Sequence, residues 1–261
     1  MKGLLYFVSL LLFLSAALYG WGKKGTRCRL LLWGGFLAGA FGLLFGRFAE
    51  GEVPFFSMRE GLGLLSLILV GLFLLLGKGE KGGLEGVVAL LAFSFMLGAS
   101  LLPSKRIGGE GLLEGVWFPL HSVSCFVGMG GFALSFCSSL TYLLQDMRIK
   151  CKKGYLVGYP SLEFLDRLSL YSLGIGFPFY TLGIIVGAVL AKRSIPGGLW
   201  DDPKTIGAGL LWLLYAFIVY RRFGLGWRGR RLSLLTVMGF GLLMFVFLGI
   251  NLLLGGHHAA F

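Results

Sequence analysis

The sequence predicts an all-α fold: a polytopic membrane helix bundle of about eight transmembrane helices with both termini outside. Two observations give the class. Hydrophobic residues make up 56% of the 261 and charged residues only 14%, whereas soluble domains carry about 25% charged residues. Eight stretches approach the ~20 apolar residues that cross a bilayer, at roughly 3–21, 30–46, 61–77, 87–102, 117–145, 169–191, 206–220 and 232–255. A third observation gives the orientation. With the N-terminus outside, sixteen of the 24 Lys and Arg fall on the inner side, among them Lys23, Lys24, Lys78, Lys81, Lys150, Lys152, Lys153 and Arg221 to Arg231. That split satisfies the positive-inside rule.

The first stretch, MKGLLYFVSLLLFLSAALYG, has the look of a signal peptide. Cleavage would leave GKKGTRCR outside, against the charge rule, so a retained first span is expected. The second and fifth carry glycine clusters, GGFLAGAFG and GMGGFALS, whose plainest reading is close helix packing in lipid. The fifth is long enough to tilt or project. It carries His121 four residues in, about one turn from its outer end. Cys125 and Cys137 share that helix ~18 Å apart and cannot bridge. Cys28 and Cys151 are expected in inner loops, reduced, and no C-x-x-C pair is present.

Before the seventh stretch runs the outer loop RSIPGGLWDDPKTIG. Asp202 suits a helix N-cap and Pro203 a first helical position, which is a structural explanation for both. After it comes GLGWRGRR, expected to act as an inner anchor with Trp227 at the interface. The eighth stretch ends in His257 and His258. Little chain lies outside the spans, so one integral membrane domain, 1–261, is expected.

The net charge of +12 raises nucleic acid as a partner, but its distribution is a topology signal with attraction to anionic membrane lipid. No nucleic-acid partner is expected. No Gly-rich phosphate loop stands between a strand and a helix. The polar residues converge elsewhere. All three histidines and the Trp200-Asp201-Asp202 cluster fall on the outer face. Each alone has a bland explanation, as an interfacial histidine, a frayed tail or a helix cap. Two histidines on different helices beside an aromatic loop suit haem, whose iron takes imidazole nitrogens and whose propionates take cations. Zinc, with Asp201 or Asp202 completing the set, is the weaker alternative.

These residues also carry a resemblance. WFPLHSVSCFVGMGGFALSFCSSLTYLLQ is similar to the helix bearing the first outer histidine of cytochrome c assembly proteins of the CcsA (ResC) type. GFPFYTLGIIVGAVLA followed by LWDDPKT resembles the approach to their tryptophan-rich haem-handling loop. WLLYAFIVYRRFGLGWRGRR and GFGLLMFVFLGINLLLGGHH resemble the last two helices, and GEVPFFSMREGL an earlier outer segment. The resemblance implies a haem-handling part at 117–261 that presents haem for cytochrome c biogenesis. It implies His121 and His258 as the axial pair on the iron of haem b, transient or bound. Trp200, Asp201, Asp202, Pro203 and Lys204 would line the haem edge. The implied partners are apocytochrome c and a membrane protein with a large outer domain; the implied place is a bacterial-type inner membrane.

The sequence departs from the family in places. The loop has one Trp, Thr205 replaces the usual Glu, and Tyr220 and Glu52 stand where histidine is common. With three histidines in the chain, an inner bis-histidine site is excluded. HemX-type relatives share the fold and are linked to haem biosynthesis. Three readings follow: a component of a cytochrome c haem lyase (synthase), a HemX-like regulator, or a membrane protein without haem.

Overall fold

In the computed structural model, residues 2–20, 25–50, 57–77, 83–102, 117–152, 158–194 and 203–254 are described. They form eight α-helices and one π-helical turn: α1 (Lys2–Gly20), α2 (Gly25–Glu50), α3 (Met58–Leu76), α4 (Leu84–Leu101), α5 (Trp117–Lys150), α6 (Leu162–Ser194), α7 (Pro203–Val219), the π turn (Tyr220–Gly224) and α8 (Arg230–Leu254). All eight helices are long and apolar enough to cross a membrane. The chain is a multi-span membrane protein.

The helix ends follow from local chemistry. Ser57 caps α3: its Oγ accepts from the Glu60 backbone N–H at 3.2 Å, meeting one orphan donor of the first turn. Ser161 does the same for α6 through the Phe164 N–H at 3.3 Å. Pro203 is the first helical residue of α7, where its missing N–H costs nothing. The reading of Asp202 as cap lies outside the described residues.

Three helices run past the stretches that hydropathy marks. α2 has 26 residues, α5 34 and α6 33. At 1.5 Å per residue α5 is ~51 Å long, well beyond the ~30 Å hydrocarbon core, so its polar end QDMRIK projects from the bilayer. Backbone hydrogen bonds continue in water where the apolar pattern stops. Arg27, Cys28 and Arg29 consequently lie on α2 rather than in a loop, and Cys28 is fully buried. All four cysteines are free thiols.

The bundle has two halves. In the first, α1 packs on α2 and α4, and α3 on α4; in the second, α5 packs most extensively on α6 and also on α8, and α7 on α8. α3 lies against α5 and joins them. α5 and α6 cross in backbone contact. A Cβ on Gly131 would stand 2.7 Å from Gly176 Cα and 2.8 Å from the Ser172 carbonyl oxygen. Only glycine allows such an approach, and it brings dispersion contacts and interhelical polar contacts into range. Ser135 and Ser169 then hydrogen-bond through their hydroxyls at 2.8 Å.

The helices alternate in direction. Arg59 at the start of α3 lies over the Tyr6 ring near the start of α1. A Cβ on Gly61 of α3 would meet Phe126 near the start of α5, and Phe126 packs edge-on against Phe247 near the end of α8. The start of α1 and the end of α8 therefore share one end of the bundle, called here the terminal end.

Candidate functional site

His121 sits on α5 four residues from Trp117, at the terminal end. Its ring turns toward α6. Nδ1 lies 2.7 Å from the carbonyl oxygen of Gly183. A carbonyl can only accept, so Nδ1 carries the proton and donates it. In the neutral ring this leaves the lone pair on Nε2. The Cys125 sulfur, one turn further along α5, is 3.7 Å from the same nitrogen and is the weaker neighbour.

Two glycines of α6 make room for this arrangement. A Cβ on Gly187 would fall 2.5 Å from Cε1 and 2.8 Å from Nδ1 of His121. A Cβ on Gly183 would fall 2.5 Å from the Cys125 sulfur. The imidazole lies in the notch that these two residues leave. Below it, Tyr180 meets Phe132 edge-on at 5.5 Å, and Phe132 stacks on Tyr215 of α7 at 3.5 Å. Trp212 of α7 donates from Nε1 to Thr181 Oγ1 at 2.9 Å, tying α7 to α6 just inward of the notch.

Of the residues singled out in the sequence, His121 and Pro203 are placed: His121 in the notch, Pro203 opening α7 at the same end. Lys204 is in the first turn of α7 by its backbone. Trp200, Asp201, Asp202, His257 and His258 lie outside the described residues. The segments 195–202 and 255–261 that hold them continue from helix ends at the terminal end, after α6 and after α8. For His121 the group that orients the ring is the Gly183 carbonyl. Gly183 and Gly187 were not singled out from the sequence. Sixty-two residues separate Gly183 from His121, and in a glycine-rich chain nothing marks these two. Among the described residues no three His, Cys, Asp or Glu side chains group as metal ligands. A zinc site would therefore have to draw on residues beyond them.

At the opposite end a second polar constellation forms, also unread from the sequence. Arg222 of the π turn is buried and grips Asp166 of α6 with both arms, Nη1 to Oδ1 at 3.1 Å and Nη2 to Oδ2 at 2.7 Å. Its Nη1 also donates to the Trp227 carbonyl at 3.0 Å, and the Gly229 N–H donates to Asp166 Oδ1 at 3.2 Å. The charge that reads as a topology signal is a lock between α6 and the α7–α8 connection.

The class is a multi-span helical membrane protein with one oriented imidazole at an end of its bundle. The family model of the cytochrome C assembly protein matches residues 56–258, and the chain belongs to that family. It is 31% identical over 222 residues to the cytochrome c biogenesis protein CcsA of Chlamydomonas reinhardtii, covering 80% of this chain and 61% of that relative. It is 43% identical over 142 residues to the CcsA of Thermosynechococcus vestitus, covering 54% of this chain and 40% of the relative. It is 43% identical over 98 residues to that of Synechococcus elongatus, covering 37% and 30%. The chain thus spans less than two thirds of the length of these relatives. Family membership supports a role in cytochrome c biogenesis.

Proposed function

We propose that this protein handles haem at the terminal end for cytochrome c biogenesis, with His121 and His258 as the two axial ligands. One observation carries the reading: the bond from His121 Nδ1 to the Gly183 carbonyl, which points the chemistry of the ring to Nε2. Metal-bound histidines characteristically donate their other N–H in this way, and the donation makes the ligating nitrogen more basic. Haem iron, when bound, supplies a centre that takes imidazole nitrogens on both faces. His121 holds its lone pair in fixed orientation. Exposed Trp117 and Leu120 on the preceding turn offer apolar surface to a porphyrin. Lys204, or Arg193, supplies a cation for a propionate, and Trp200, Asp201, Asp202 and Pro203 line the edge.

On this reading 117–261 is the haem-handling part of a single membrane domain in a bacterial-type inner membrane, with the termini outside. Apocytochrome c and a membrane protein with a large outer domain are its partners. Haem b is the form handled. The HemX-like alternative draws on the small number of histidines, three in the chain. The two differ in what deleting the protein does: loss of covalent haem attachment to cytochrome c for the first, a changed haem level for the second.

The test is the absorption spectrum of the purified protein and of His121→Ala, His257→Ala and His258→Ala. The wild type is expected to show a six-coordinate Soret and α-band pattern that His121→Ala and His258→Ala each alter and His257→Ala does not. A wild-type protein that takes up no haem when haem is supplied in excess ends the proposal.

A further inference from the structure

The π turn carries two arginines with opposite fates. Arg222 has its charge answered by Asp166, as described. Arg221, its neighbour, meets no carboxylate among the described residues. Its guanidinium instead lies against two aromatic rings, 4.8 Å from the centroid of Phe217 and 4.4 Å from that of Trp227. Its Nε is buried with no hydrogen-bond acceptor. The turn itself is held shut around it: Trp227 N–H donates back to the Arg221 carbonyl at 3.0 Å, and Leu225 N–H to the Tyr220 carbonyl at 3.3 Å. A π-helical turn widens the helix by one residue, and it often marks a working site.

We propose that Arg221 is the receptor for a phospholipid phosphate in the leaflet at the end opposite the termini. Four features point to that ligand. Guanidinium is planar, and rings against it fix its orientation while leaving in-plane N–H donors, the geometry that fits a phosphate bidentately. The span Thr205–Gly224 is 20 residues long, so Arg221 stands where the hydrocarbon core gives way to headgroups. The side chains around it are apolar and exposed, Tyr220 59%, Phe223 58% and Leu225 47%, which suits acyl chains and not bulk water. Arg230 and Arg231, exposed at the start of α8, give this end the positive charge that favours an anionic headgroup. The site is separate from the haem reading: it lies at the other end of the bundle and stands or falls alone.

The experiment uses the full-length protein in detergent, with phosphatidylglycerol added and bound lipid counted by native mass spectrometry. Wild type, Arg221→Lys, Arg221→Ala and Arg228→Ala are compared, and the thermal unfolding midpoint of each is recorded to show that it is folded. A charge-assisted hydrogen bond is worth enough to change affinity about tenfold. Arg221→Ala is therefore expected to bind the lipid about tenfold more weakly, and Arg228→Ala nearly as well as wild type. Arg221→Lys keeps the charge but loses the fork and should fall between. Should Arg221→Ala fail to fold, Arg221→Lys alone decides, since an affinity equal to wild type would sink the proposal. Inorganic phosphate at millimolar concentration should not displace the lipid. Displacement would mean that a free anion, not a lipid, is the ligand. Equal losses in Arg221→Lys and Arg228→Ala would reduce the effect to general cationic attraction and overturn the assignment.

Discussion

At Gly187 a methyl group would stand 2.5 Å from Cε1 of His121, closer than real Cβ contacts come, and the ring cannot yield without giving up its bond to Gly183. Gly187→Ala is therefore expected to lower haem retention although it replaces no ligand. Gly209→Ala on α7 meets nothing within 4 Å and serves as the control. The readout is Soret absorbance per mole of purified protein, with helix content by circular dichroism. Equal retention in both variants would show that the notch does not position the imidazole. Cys125→Ala should leave the bands in place, because its sulfur is only a distant second neighbour of Nδ1. His121 itself was legible in the sequence, as a polar residue one turn inside an apolar run. Its support was not. A backbone carbonyl leaves no mark in an amino-acid sequence, and the glycines that make room for the ring look like all the other small residues of a membrane bundle.

At the α5–α6 crossing one added carbon should be costly. Gly131→Ala forces a Cβ against Gly176 Cα and the Ser172 carbonyl, both backbone, so two helices must part. Overpacking of this kind costs about 1–3 kcal/mol. The expected outcome is a lower thermal midpoint in detergent, with the Ser135–Ser169 bond lost as the crossing opens. A midpoint equal to wild type would mean that the helices are not in backbone contact. The lock between Arg222 and Asp166 makes a second prediction. Removing one partner of a buried pair typically costs about 3–5 kcal/mol, whereas replacing both costs far less. Arg222→Met should therefore destabilise more than Arg222→Met combined with Asp166→Leu, a non-additivity measurable in a double-mutant cycle. Hydropathy located all eight helices, since each must hide its backbone from lipid. It misplaced the ends of α2, α5 and α6 because these helices run on through polar residues that hydropathy leaves out. It read Arg222 only as inner-side charge, since pairing with a carboxylate 56 residues earlier depends on how the helices stack.

For the whole molecule the orientation is the open quantity with a ready reporter. Three of the four cysteines, Cys28, Cys125 and Cys137, are buried or half-buried within helices, whereas Cys151 is exposed just past the end of α5. The excess of Lys and Arg at that end predicts that it faces inside. A membrane-impermeant maleimide applied to intact cells should leave Cys151 unlabelled and should modify it once the membrane is opened. Labelling in intact cells would invert the topology and move the proposed haem site to the other compartment.

The glycine crossing also sets an order in time. Gly131 and Gly176 belong to consecutive spans joined by a short link, so their contact needs nothing made later. A nascent chain emerges at about 5–20 residues per second, N-terminus first, and neighbours in sequence find each other before distant elements do. Once Ser194 has left the ribosome, the α5–α6 hairpin is complete, and with it the seat of His121. His258, 64 residues further on, is still to come. The first imidazole is thus set in place while its proposed counterpart is unmade. Stalled chains make this visible: Cys125, packed at Gly183, should already resist alkylation when synthesis is arrested near the end of α8.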